Sequence, residues 1–142
     1  MSAEVAALQE ALAGEHAALF GYGVVGGRSA PTDAALARAA YIQHRSRRDA
    51  LTRLLTALDQ RPVPAEAGYR LPFSVDDRAA LRRLAVLIER RCAALYAVVV
   101  GETQEARREF GVRAMLDCAT EALRWGAAPE PFPGLDWRAG PD

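Results

Sequence analysis

The sequence predicts an all-α domain folded as a four-helix bundle, in which two helical hairpins are joined by one long crossover. Three observations lead there. The 142 residues include 30 Ala and 16 Leu, while aromatics make up only 7%, a composition that favours helix over sheet. Apolar residues recur at steps of three and four through four stretches, each bounded by Gly or Pro. Between helical stretches one segment, residues 61–74, carries three prolines and a glycine with no helical period. At 15.3 kDa the chain is one domain long, enough for a single core.

The elements follow in order. The first helix spans about 2–26, with Leu8, Leu12, Leu19 and Tyr22 on one face and Gly26-Gly27 as its stop. A turn at Ala30-Pro31-Thr32-Asp33 lets Thr32 or Asp33 cap the second helix, over 33–60, whose stripe is Ala37, Tyr41, His44, Leu51, Leu55 and Leu58. The third runs over 75–100 from a cap at Ser74 or Asp76, through Leu81, Leu84, Ile88, Cys92, Leu95 and Val99, with Gly101 at its end. The fourth occupies 103–125 with Phe110, Ala114, Leu116 and Leu123, and is stopped by Gly126 and the prolines at 129, 131 and 133. Residues 129–142 read as a Pro-rich irregular tail. Short joins within each pair and one long link between pairs suit a bundle with one crossover; a plain up-down bundle is the competing topology.

Charge and targeting exclude several function classes. Eighteen basic residues, every one Arg, balance eighteen acids, which argues against a nucleic-acid binder. No apolar stretch is long enough for a membrane span, and the first residues carry Glu4, Glu10 and Glu15 with no basic segment, unlike a signal peptide. Cys92 and Cys118 lack CxxC spacing and read as buried reduced thiols, so the expectation is a cytoplasmic protein. No phosphate-binding glycine loop and no nucleophile elbow occurs. The run from His44 to Asp49 reads as a solvated face with Arg45 paired to Asp49. Ala17, Ala18, Gly21 and Gly23 suit either a homodimer interface or close internal packing.

The buried seams carry polar groups. Glu15 continues the series 8, 12, 15, 19, 22, which places a carboxylate in the core, where it needs an ion pair, a hydrogen-bond partner or a metal. His44 lies on the second stripe, Glu89 on the third between Ala85 and Cys92, and Asp117 three residues beyond Ala114 on the fourth. The halves look duplicated. Glu15 and Glu89 are 74 residues apart, as are Tyr22 and Tyr96, giving E-x6-Y on helices one and three. Tyr22, Tyr41 and Tyr96 are expected to turn their hydroxyls on this polar cluster, whereas His16, beside Glu15, turns away to the surface or an interface.

On these residues, together with EHAALFGYGVVGGR, AYIQHRSRRDAL, YRLP and the RW and PFPGL near the end, the chain resembles the uncharacterised actinobacterial DUF4439 family of the ferritin-like superfamily. The resemblance implies a ferritin-like fold and no assigned activity. It maps metal-bridging glutamates onto Glu15 and Glu89 and the histidine of an E-x-x-H onto His44. The pattern is incomplete: Tyr41 stands where that motif has Glu, and helix four has no His. Glu15, His44, Glu89 and Asp117 are therefore the candidate metal ligands, a degenerate set suited to one Fe, Mn or Zn ion rather than two. In that case oxidase, peroxide-consuming or oxygenase chemistry is the expected class; a storage cage would need a full site and a fifth helix. The alternative is a metal-free helical-bundle homodimer acting as a binding or structural module, its acids neutralised by a protonated His44. The identity of any small-molecule ligand is open.

Overall fold

In a computed structural model, which describes residues 1–133 and 135, the chain forms four α-helices: α1 (Ala3–Arg28), α2 (Pro31–Ala57), α3 (Arg78–Glu102) and α4 (Glu105–Arg124). No strand occurs among the described residues. The part of the Pro-rich tail at 134 and 136–142 lies outside them.

Local chemistry sets the helix ends, sometimes elsewhere than the sequence suggested. Ser2 caps α1 by accepting from the Val5 amide at 3.1 Å, and the helix continues through Gly26 and Gly27 to Arg28. On α2 neither Thr32 nor Asp33 is the cap. Ala30 holds that position without a side-chain bond, and Pro31 opens the helix, its missing N–H costing nothing in the first turn. Asp33 is instead buried and accepts from Arg78 at 2.9 Å and Arg82 at 2.8 Å. Asp77 caps α3 through the Ala80 amide at 2.8 Å. Past α4, Gly126 takes φ +100°, the left-handed conformation that glycine adopts at least cost.

Side-chain contacts fix the topology. The crossover climbs beside α1: Gln9 Nε2 donates to the Arg61 carbonyl at 2.8 Å, His16 Nε2 lies 3.0 Å from the Val63 carbonyl, and the Phe20 and Tyr69 rings stand 5.4 Å apart. Asp33 ties the start of α2 to the start of α3, Arg107 pairs with Glu4 at the starts of α4 and α1, and Arg82 donates to the Arg124 carbonyl at the end of α4. Helices α2 and α3 therefore run opposite to α1, and α4 runs with it. This up-down-down-up order is the one-crossover connectivity and excludes the plain up-down alternative.

The packing is uneven. Helix α1 packs on α2 and α3, and α3 on α4, whereas no comparably extensive packing joins α2 to α4. A Cβ on Gly21 would stand 2.6 Å from Ile88 Cδ1, so this glycine, like buried Ala18, serves the internal α1–α3 seam. Leu8, Leu12, Leu51, Leu55 and Val99 fill the core on one side of a polar centre, and Val25, Ala37, Leu81, Leu84 and Trp125 on the other.

Candidate functional site

The centre of the bundle is a buried ion network. Glu15 (α1), His44 (α2) and Glu89 (α3) are all 0% exposed. His44 bridges the two acids, with Nδ1 2.5 Å from Glu15 Oε2 and Nε2 2.8 Å from Glu89 Oε1. Arg47, one turn after His44 on α2, donates from Nε to Glu15 Oε1 at 3.0 Å. Two tyrosines close the network reciprocally: Tyr96 on α3 donates to Glu15 Oε1, and Tyr22 on α1 donates to Glu89 Oε1, each at 2.5 Å. The paired E-x6-Y spacing is thus a real exchange, each helix supplying the hydroxyl for the other's carboxylate.

Both imidazole nitrogens face carboxylates, so both must donate and His44 is an imidazolium. Burial pushes against that charge, but the bonds and charges of Glu15 and Glu89 outweigh it and hold His44 up at about 10. For Glu15, burial acts to raise the pKa, and His44, Arg47 and the Tyr96 hydroxyl overcome it and hold the carboxyl below its usual value. Tyr22 and Tyr96 are pushed well above the ordinary tyrosine range by burial and by the acids they serve. Two carboxylates, one imidazolium and one guanidinium sum to zero charge in a dry core.

Three of the four expected ligands meet here and one does not. Asp117 has a side chain 68% exposed, and its carboxylate lies 4.0 Å from Arg47 Nη1 at the bundle surface. The buried face of α4 runs through Ala114, Cys118 and Ala122, which leaves position 117 at its solvent edge. Arg47 is the residue that reading the His44–Asp49 run as solvated overlooks. The signal was present: 44, 47 and 51 continue the α2 stripe by the same steps that found Glu15. The expected Arg45–Asp49 pair is not formed, since Asp49 pairs with Arg48 at 2.8 Å. Tyr41 is half-buried against the core and makes no bond to the network.

Metal chemistry can be tested against this donor set. One atom each from Glu15, His44 and Cys92 falls within 4.8 Å of the others, so this buried Glu-His-Cys group could hold a metal ion. The residues do not fit a two-metal centre. Glu89 is engaged by Tyr22 and His44, Arg47 holds Glu15 Oε1, and Glu121, the acid that α4 brings nearest, is paired with Arg124. The Cys92 thiol is itself pushed up by its contact with Cys118, by burial and by Glu15, away from the thiolate that binds metal.

Beside the network, between α2 and α4, lies a polar cleft of about 200 Å³ lined by Gln43, Arg47, Glu89, Asp117, Thr120 and Glu121. Glu121 is the second residue overlooked from sequence, although 114, 118 and 121 continue one face of α4. Glu89 Oε2 and Glu121 Oε1 are buried with no hydrogen-bond partner among the described residues. No helix is long and apolar enough to cross a membrane.

Fold and site together define an all-α four-helix bundle with a neutralised ion network in its core. The chain belongs to the DUF4439 family, a domain of unknown function, whose model matches residues 7–137. It is similar to a crystal structure of a conserved hypothetical protein, Rv2844, from Mycobacterium tuberculosis, at 40% identity and a TM-score of 0.84 over 90% of this chain and 94% of that one. No curated protein matches the chain.

Proposed function

We propose that this protein is a metal-independent helical-bundle module that binds a small ligand in the cleft between α2 and α4. One observation carries the reading: every charge at the centre already has a partner within the chain, while Glu89, which lines the cleft, keeps one buried oxygen, Oε2, without a partner. Arg47 and protonated His44 supply the positive charge that a metal would otherwise bring, so the acids need no cation from solution. Homodimerisation belongs to the same proposal. Leu116 and Leu123, seven residues apart on α4, and Ile42 on α2 leave apolar side chains in solvent beside the cleft, and sedimentation velocity reads the assembly state.

Elemental analysis of protein purified without a histidine tag tests the metal-independent reading. The expected result is far less than one equivalent of iron, manganese or zinc, and a melting temperature moved neither by a chelator nor by excess of those ions. About one equivalent of a metal, lost in both Glu15→Ala and His44→Ala, would overturn it. That outcome belongs to a second reading, carried by the Glu15–His44–Cys92 group, in which a single ion displaces the His44 proton and turns Arg47 outward. The sulfur ligand would then favour zinc over iron or manganese.

A further inference from the structure

The ligand class can be read from the polar cleft, and this inference rests on the metal-independent binding module proposed above. Glu89 Oε2 comes from α3 and Glu121 Oε1 from α4; both are buried and both lack a donor among the described residues. Glu89 is 0% exposed, held from behind by Tyr22 and His44 through its other oxygen, so its free oxygen cannot rotate away to find water elsewhere. Glu121 is likewise anchored, its Oε2 accepting from Arg124 Nη1 at 3.1 Å. Each acid thus spends one oxygen on a partner within the chain and has the other unpartnered, and both acids line the same cleft. A buried carboxylate oxygen without a donor costs several kcal/mol, and a ligand that brings donors recovers this on binding.

We propose that the cleft binds a small primary ammonium compound, its N–H groups donated to Glu89 Oε2, Glu121 Oε1 and a neutral third acceptor. Three donors ask for three acceptors. Thr120 and Gln43 line the same cleft, and the Thr120 hydroxyl, which donates to the Leu116 carbonyl at 2.9 Å, keeps its lone pairs free. The volume of about 200 Å³ is below the usual range for drug-sized ligands, so the amine carries only a few other heavy atoms. Arg47 and Arg124 on the walls oppose any cation, and a divalent metal twice as strongly as an ammonium; Asp117, the third acid of the lining, lies 4.0 Å from Arg47 Nη1. Burial and the nearby Glu89 charge both push the Glu121 carboxyl up, the direction that an ammonium group between the two acids reverses.

Calorimetric titration of the chelator-treated, full-length protein with methylammonium chloride tests this, with tetramethylammonium and magnesium chlorides as comparators. The expected result is saturable methylammonium binding in the millimolar range, no saturable binding of tetramethylammonium, which has no N–H, and at least a tenfold loss of affinity in Glu121→Gln. Thr120→Val, a near-isosteric change on the outer turn of α4, is expected to weaken binding several-fold and serves if Glu121→Gln loses its helical circular dichroism. Absence of saturable methylammonium binding, equal binding of tetramethylammonium, or affinity unchanged in both variants would overturn the proposal. Magnesium binding abolished by Glu121→Gln would overturn the ammonium class while leaving the central Glu15–His44–Cys92 group, and the metal-independent reading of it, to their own test.

Discussion

Raising the pH should unlock the bundle through His44. The imidazolium is held up at about 10 by Glu15 and Glu89, against an ordinary value of 6.5 for an unfolded chain. Because the folded value lies above the unfolded one, the stabilisation is complete below 6.5 and drains away as pH climbs towards 10. One proton taken up on folding gives a slope of about 1.4 kcal/mol per pH unit, so the folded state should lose roughly 2 kcal/mol between pH 7 and 8.5. Above that window Cys92, whose thiol is also pushed up on burial, adds its own loss of the same sign. Urea unfolding at closely spaced pH values reads the slope, and the His44→Gln variant, less stable throughout, should lack it over this range. A wild-type stability that stays flat from pH 7 to 8.5 would refute the assignment of a charged His44. A stability that rises would point to a deprotonated imidazole holding a metal.

Three further outcomes are expected. Replacing Arg47 with Met leaves Glu15 short of a cation in a dry core and should cost about 3 to 5 kcal/mol in urea unfolding, whereas Arg47→Lys should restore part of it. Tyr22→Phe removes the hydroxyl that donates to Glu89 and should cost about 1 to 3 kcal/mol, with Tyr96→Phe behaving alike because the two bonds are reciprocal; a pair of near-neutral substitutions would show the hydroxyls to be dispensable. Cys92 and Cys118 are both buried and unpaired, so neither should react with a thiol reagent in the native protein over minutes, and both should react at once in denaturant.

Much of this was legible in the amino-acid sequence, and each failure has its own physical cause. Glu15, His44 and Glu89 could be placed at the centre because long helices keep phase: the steps of three and four that carry leucines also carry the acids between them. The same rule contained Arg47 and Glu121. Arg47 was passed over because a charged residue among other charged residues reads as surface by composition, and Glu121 because Asp117 was taken as the acid of its helix, although the phase of both says otherwise. Asp117 failed in reverse, a carboxylate close to the right register but one position from the buried Cys118. Helix ends were least legible where a residue's tertiary partner outweighed its capping tendency, as Asp33 shows by turning from its own helix start to Arg78 and Arg82 on α3. The one-crossover topology was legible from a single long link between two short-looped pairs, and contacts across the chain exclude the up-down competitor.

The exchange of partners between the hairpins has a consequence for how the chain folds. Both cations of the central network, His44 and Arg47, lie on the first hairpin, while Glu89 lies on the second and takes its imidazolium from His44 and its hydroxyl from Tyr22. Glu15 in turn takes a hydroxyl from Tyr96 of the second hairpin. Neither hairpin is electrically complete alone: the first holds an excess of positive charge, and the second holds an acid with no cation to bury beside it. Collapse of either half by itself would strand a charge away from water or force a change of protonation, which favours closure of the two halves together. An inheritance that looks like a repeated hairpin has become, through its charges, a single indivisible unit.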